Sequence, residues 1–260
     1  MNEKEIKEII IPAKLAEIEE KENVHILYCV ESGSRAWGFA SPDSDFDVRF
    51  IYVRPKEYYL RLDKTRDIIE WQLDDTLDIN GWDLQKALVL LHKSNPTLFE
   101  WNKSPIVYKT TPEWETISNV INVYFQQKPI LYHYLSIAKS TYKEYLTGET
   151  VRLKKYFYAL RPIFACKWIL DKKSPPPMSF IELAEAYLDK DIAPAVHNLL
   201  SLKIDTPELG ESKRIDIINN YIETSIAEIE LTLNSYLVKD FKKWDKLNEM
   251  FLNILNRQVF

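Results

Sequence analysis

Hydrophobic and polar positions along this chain change rhythm twice. Over residues 3–22, Ile6, Ile9, Ile10, Ala13 and Ile18 fall on one stripe among Lys and Glu, the period of an amphipathic helix. Pro12 lies inside that stripe and is expected to kink or split the helix, because it has no N–H to donate. His25-Ile-Leu-Tyr-Cys-Val30 is an unbroken apolar run that predicts a buried strand. Ser32 to Ala40 predicts a tight turn with one helical turn, Ser41 to Ser44 a loop, and Phe46 to Val53 a second strand. Pro55 opens a short helix from the first-turn position that suits it. Arg66 to Leu73 and Thr76 to Trp82 predict a hairpin around Asp74-Asp75. Asp83 then reads as an N-cap, with Leu84, Ala87, Leu88 and Leu91 at helical spacing behind it and Asn95-Pro96 ending the helix. Ser104 to Tyr108 predicts one more short strand.

From about residue 112 strand signals vanish. Amphipathic helical patterns cover roughly 112–126, 129–147, 152–172, 179–189, 191–203, 212–238 and 240–256, with Pro175 to Pro177 as a stiff break. The expected class is α+β. A small mixed sheet flanked by helices occupies residues 1–111, and an all-helical unit occupies 112–260.

Composition narrows the function classes. A hydrophobic fraction of 46% with 28% charged residues is ordinary for a folded protein and excludes disorder. A net charge of -5 excludes a bulk nucleic-acid coat but leaves room for a local basic patch. Cys29 and Cys166 both sit in apolar surroundings and are expected to be buried free thiols. Two cysteines and four scattered histidines give no zinc-ligand spacing. The charged N-terminus has no apolar leader core, and no apolar run is long enough to span a bilayer, so a cytoplasmic protein is the expectation.

The candidate chemistry is concentrated in SGSRAWGFASPDSDFDV, residues 32–48, which holds two of the chain's five glycines. Asp45 and Asp47 are two apart at a predicted strand, so both carboxylates leave one face. Like charges that close repel each other unless a cation sits between them. Mg²⁺, or Mn²⁺ in its place, suits such carboxylate and phosphate oxygens. A two-ion phosphoryl-transfer site needs a further acid. Leu77-Asp78-Ile79 offers one, if its strand lies beside the first. Upstream, Gly33 has no Cβ to keep an anion from the backbone, and the Ser34 hydroxyl adds a hydrogen bond, so this turn can cradle phosphate. Arg35 follows the turn and is a further candidate for phosphate contact, or for a surface salt bridge.

The order of these features is apolar strand, Gly33-Ser34, the ten residues Arg35 to Ser44, Asp45-Phe46-Asp47-Val48, then Leu77-Asp78-Ile79. It resembles the nucleotidyltransferase superfamily of DNA polymerase beta. Glu31-Ser32 stands where that signature has an apolar pair. Gly33-Ser34-Arg35-Ala36-Trp37-Gly38, Gly81-Trp82-Asp83-Leu84-Gln85-Lys86-Ala87-Leu88, Ser94-Asn95-Pro96, Glu100-Trp101, Ser104-Pro105 and the run Lys154 to Pro162 resemble a narrower branch, the RNA-repair-pathway polymerase-beta family. The resemblance implies transfer of a nucleoside monophosphate from an NTP such as ATP to a hydroxyl, with pyrophosphate leaving. It implies that Asp45 and Asp47 bind two metal ions and the triphosphate. Asp78 would complete the metal site and help activate the acceptor, while Gly33 and Ser34 would hold the β- and γ-phosphates.

Lys139 to Lys173 is a basic island in an acidic chain. Within it Lys154, Tyr158 and Arg161 are spaced i, i+4, i+7 and are expected to share a helix face suited to a triphosphate and a stacked base. Trp37, Trp82 and Trp101 are expected in the core. Two classes of function remain at this point: an active nucleotidyltransferase, and a catalytically weak nucleotide-binding regulator or antitoxin-like module on the same fold. The acceptor is open among an RNA end, a small molecule and a protein side chain.

Overall fold

A computed structural model describes residues 2–205, 210–236 and 242–257. The chain begins with α1 (Glu3–Glu5), a π-helical turn (Ile6–Ile10) and α2 (Ile11–Glu22). The π turn comes just ahead of Pro12, which has no N–H to return to the preceding turn, so the coil widens where a split was expected. Next come β1 (His25–Glu31), α3 (Gly33–Trp37), β2 (Phe46–Val53), α4 (Lys56–Tyr59), β3 (Ile68–Leu73) and β4 (Leu77–Asp83). Asp83 caps α5 (Leu84–His92) by accepting from the Gln85 N–H. That helix ends at His92, before Asn95, which caps a short helix the pattern did not predict, α6 (Pro96–Trp101), by accepting from the Thr97 N–H. β5 (Val107–Thr110) lies a few residues later than expected.

These strands form one mixed sheet in the order β3-β4-β2-β1-β5. Its centre is the parallel pair β2 and β4; the other pairings are antiparallel. Strand alternation gives each face its own core. Phe46, Val48, Phe50 and Tyr52 of β2 join Leu77 and Ile79 of β4 under Ile11, Leu15 and Ile18 of α2. The opposite parity, with Ile51 and Val53, faces α5 and the helices that follow. Asp47 and Asp78 have that second parity, so both face the helical half.

The second half comprises α7 (Pro112–Ile121), α8 (Gln127–Tyr145), β6 (Thr150–Arg152), α9 (Lys155–Lys172), α10 (Phe180–Tyr187), α11 (Ala193–Asp205), β7 (Glu211–Lys213), α12 (Asp216–Asn234) and α13 (Asp245–Arg257). The small β6–β7 ribbon departs from the all-helical expectation; its strands are three residues each, too short to show a period in the sequence. The helix ends expected at residues 237–241 lie outside the described residues. The larger core runs through both halves: Phe39 packs on Phe157 and Phe180 at ring-centroid distances of 4.9 and 5.4 Å. Cys29 and Cys166 are buried and free. Among the described residues no helix is long and apolar enough to cross a membrane.

At the sheet centre Gly81 pairs with Phe50, and a Cβ on Gly81 would stand 2.2 Å from the Phe50 ring. Gly81→Ala is expected to lower unfolding free energy by about 1–3 kcal/mol through overpacking. Urea denaturation followed by tryptophan fluorescence checks this; an unchanged midpoint would show that the ring has room to move.

Candidate active site

The site is built where β1, α3, β2 and β4 meet. In the parallel pairing Asp47 stands directly beside Asp78, and both side chains leave the face turned to the helical half. Asp45 lies one residue ahead of β2, at the strand's mouth rather than within it. Its position is set by Arg35. That guanidinium donates to the Ser44 carbonyl (2.6 Å) and to the Asp45 carbonyl (3.0 Å), meets Glu3 at 3.4 Å and lies 3.8 Å over the Phe46 ring. Arg35 therefore fixes the backbone that carries Asp45, and the groove it lines is bounded by Glu3 and Ile6 as well.

The glycine turn and the acids are in direct contact. Gly33 has φ +58°, and a Cβ there would fall 1.7 Å from Asp47 Oδ2. A side chain at residue 33 is excluded both by the backbone conformation and by the carboxylate lying over the glycine. Asp47 is held from three further directions. Its N–H donates to Glu31 Oε1 at 2.7 Å, its carbonyl accepts from the Ser32 N–H at 2.8 Å, and its Oδ1 accepts from Arg49 Nη2 at 2.8 Å. The same Arg49 Nη2 donates to Asp78 Oδ2 at 2.6 Å.

Arg49 and Glu31 are the two site residues that the sequence reading did not single out. Arg49 stands two positions after Asp47 on one strand, so alternation alone puts it on the acidic face. Glu31 is fully buried at the end of β1, where the superfamily signature has an apolar residue. Besides the Asp47 N–H, its carboxylate accepts from the Tyr108 hydroxyl.

The electrostatics follow from burial. Burial pushes the Asp47 carboxyl up to about 6, with the charges of Asp45 and Asp78 adding and Arg49 opposing. Burial pushes Glu31 up to about 7, against the hydrogen bonds from Tyr108 and the Asp47 N–H. The Tyr158 hydroxyl is also raised, first by burial and then by the charges of Asp47 and Asp45.

A cleft of about 660 Å³ opens beside these groups, and Ser34, Asp45, Lys154 and Tyr158 are among its lining side chains. Asp47 and Asp78 are not; Asp47 adjoins the cleft through Gly33, next in chain to Ser34. Arg161 is elsewhere. It is buried, donates to Glu100 Oε1 at 2.9 Å and to the Met178 carbonyl at 3.1 Å, and stacks 4.6 Å over Trp37. Trp37 in turn meets Tyr158 edge-on at 5.2 Å. The shared face expected for Lys154, Tyr158 and Arg161 thus divides: the first two reach the cleft, and Arg161 braces the wall behind it. The reason is Glu100, a partly buried carboxylate partner that draws the guanidinium inward.

The donor set suits a hard divalent cation, because every candidate ligand is a carboxylate oxygen and a guanidinium already bridges two of them as a cation would. Among the described residues no three His, Cys, Asp or Glu side chains form a ready-made cage. Mg²⁺ does not require one, since it commonly takes one or two carboxylates and completes its shell with water and substrate phosphates.

A family model described as the RNA repair pathway DNA polymerase beta family matches residues 7–253. An uncharacterized protein of Bacillus subtilis (strain 168), YcgL, is 43% identical over 242 residues, covering 92% of this chain and 93% of that one. A solved nucleotidyltransferase-like protein from Exiguobacterium sibiricum 255-15 covers 96% of this chain and 79% of its own, at 11% identity and a TM-score of 0.28, too slight a likeness to carry an argument.

Glu31 gives a pH test. Its folded pKa of about 7 lies above the ordinary 4.5, so the folded state binds this proton more tightly than the unfolded chain. Stability credited to protonated Glu31 is therefore lost as pH rises between those two values. Relative to Glu31→Gln, the wild type is expected to lose up to about 1.4 kcal/mol per pH unit in that window and to run parallel outside it. Urea unfolding of both proteins across the window checks it; a flat difference would contradict it.

Proposed function

This chain belongs to the RNA repair pathway DNA polymerase beta family, and on that premise we propose that it is a metal-dependent nucleotidyltransferase. It moves a nucleoside monophosphate from an NTP to an acceptor hydroxyl and releases pyrophosphate. The observation that carries this reading is the contact of Asp47 Oδ2 with the Cα side of Gly33, in a strand pair that also sets Asp78 beside Asp47. A phosphate turn and an acid pair share one wall.

Asp45 and Asp47 would hold the divalent ion, Mg²⁺ or Mn²⁺, with Asp78 beside them. When bound, that ion neutralises the triphosphate and makes the α-phosphorus easier to attack. Gly33 lets the triphosphate approach the backbone, and Ser34 hydrogen-bonds it. Lys154 adds positive charge from the opposite wall, and Tyr158 offers a ring for the base to stack on. Asp78 takes the proton of the acceptor hydroxyl. The acceptor oxygen then bonds to the α-phosphorus, and pyrophosphate leaves with the electron pair of the broken P–O bond. Positioning and electrostatics carry such a transfer. Residues 1–111 would form the catalytic unit, and 112–260 would complete the cleft. Arg35 and Arg161 act through others in this scheme: Arg35 sets Asp45, and Arg161 supports Trp37, whose ring meets Tyr158 edge-on.

The test is incubation with α-labelled NTPs, Mg²⁺ or Mn²⁺, and separate pools of RNA, small-molecule and protein acceptors. Label is expected in one pool, and Asp47→Asn is expected to reduce transfer by at least about 10²-fold while circular dichroism stays unchanged. Undiminished transfer by that variant would defeat the reading. Metal-dependent NTP binding with no transfer to any pool would favour the regulator instead. Gly33→Ala forces Asp47 off its position, and its affinity for the metal–NTP complex is expected to fall at least about tenfold by calorimetry, as loss of a charged contact would.

A further inference from the structure

Resting on the nucleotidyl-transfer reading, the geometry points to a one-ion site, in which the Arg49 guanidinium permanently takes the place of the second metal ion between Asp47 and Asp78. The two oxygens of Asp47 face different tasks. Oδ2 lies over Gly33, on the phosphate side. Oδ1 is given to Arg49 Nη2, the nitrogen that also holds Asp78 Oδ2. With Oδ2 turned to the phosphate side, a second ion shared by Asp47 and Asp78 would have to take Asp47 Oδ1 from Arg49.

Arg49 is anchored by more than the carboxylates. Its Nη1 donates to the Asp78 carbonyl at 2.7 Å and to the Val48 carbonyl at 3.1 Å. Both carbonyls belong to the β2–β4 pair at the sheet centre, so the anchor is as rigid as the sheet. The Arg49 side chain is only 15% exposed, leaving little open space for it to swing into. Competition from a metal for the carboxylates would leave the backbone anchor in place. The fixed positive charge would then repel the incoming ion at close range. The same arrangement leaves a function for Asp78. With Oδ2 held by Arg49, its Oδ1 carries, among the described residues, only a long contact from Asn80 Nδ2 at 3.4 Å and is the oxygen left to accept the acceptor's proton. The single ion then belongs to Asp45, Asp47 Oδ2 and the triphosphate.

The test is a count of bound Mn²⁺ by electron paramagnetic resonance, on the full chain saturated with α,β-methylene ATP. One Mn²⁺ per chain is expected for the wild type, one for Arg49→Lys, and two for Arg49→Ala. Two ions in the wild type would overturn the one-ion site while leaving nucleotidyl transfer standing. One ion in both the wild type and Arg49→Ala would overturn the role of Arg49 in excluding the second. No Mn²⁺ or nucleotide bound by the wild type would overturn the functional reading and the one-ion site together. If Arg49→Ala fails to fold, the wild-type count still decides between one ion and two.

Discussion

A carboxylate lying against a bare Cα is the constraint on which the rest of this structure depends. Asp47 can sit where it does only because residue 33 has no side chain, and Gly33 can take its left-handed φ for the same reason. That contact brings the turn after β1 and the centre of β2 within touching distance. Burial raises the cost of charge on Asp47, and the neighbouring acids raise it further. The structure offsets part of this with the Arg49 guanidinium, which donates to Asp47 Oδ1. Even so, the carboxyl stays above its ordinary range, at about 6, chiefly because it is buried.

The surrounding fold keeps that arrangement rigid. The parallel register of β2 and β4 sets Asp78 beside Asp47, and alternation sends the apolar neighbours of both into the core under α2. Arg35 fixes the approach to β2 through two carbonyls. On the far wall Arg161 does the same for α9, where Glu100 and the Met178 carbonyl hold it under Trp37. Arg35 and Arg161 are thus braces, and the arginine that lies between the acids is Arg49.

Much of this was legible in the sequence because its signals are local. The bounds of β2, the Asp83 cap and the Asp74-Asp75 hairpin all follow from residues a few positions apart. Asp78 was legible as a lone acid between apolar neighbours, although its place beside Asp47 depended on strand order, which periodicity does not specify. Arg49 was available from alternation, two positions after Asp47, but a basic residue on a strand has many uses. What decides its role is the neighbouring strand. Glu31 was visible only as a departure from an apolar pattern; the Tyr108 hydroxyl and the Asp47 N–H that make its burial tolerable come from other strands. Arg161 went astray for the same reason. Helical spacing aligned it with Tyr158, and a carboxylate partner sixty-one residues away in sequence turned it inward.

The central claim is that the Gly33–Ser34 turn and Asp47 together receive a metal-bound nucleoside triphosphate. The most direct measurement is a crystal structure of the chain with Mn²⁺ and a non-hydrolysable NTP, with anomalous scattering locating the metal. The account predicts β- and γ-phosphates against Gly33 and Ser34, an anomalous peak on Asp47 Oδ2 and Asp45, and a base near Tyr158. A nucleotide bound away from that turn, or manganese with no contact to Asp47, would contradict it.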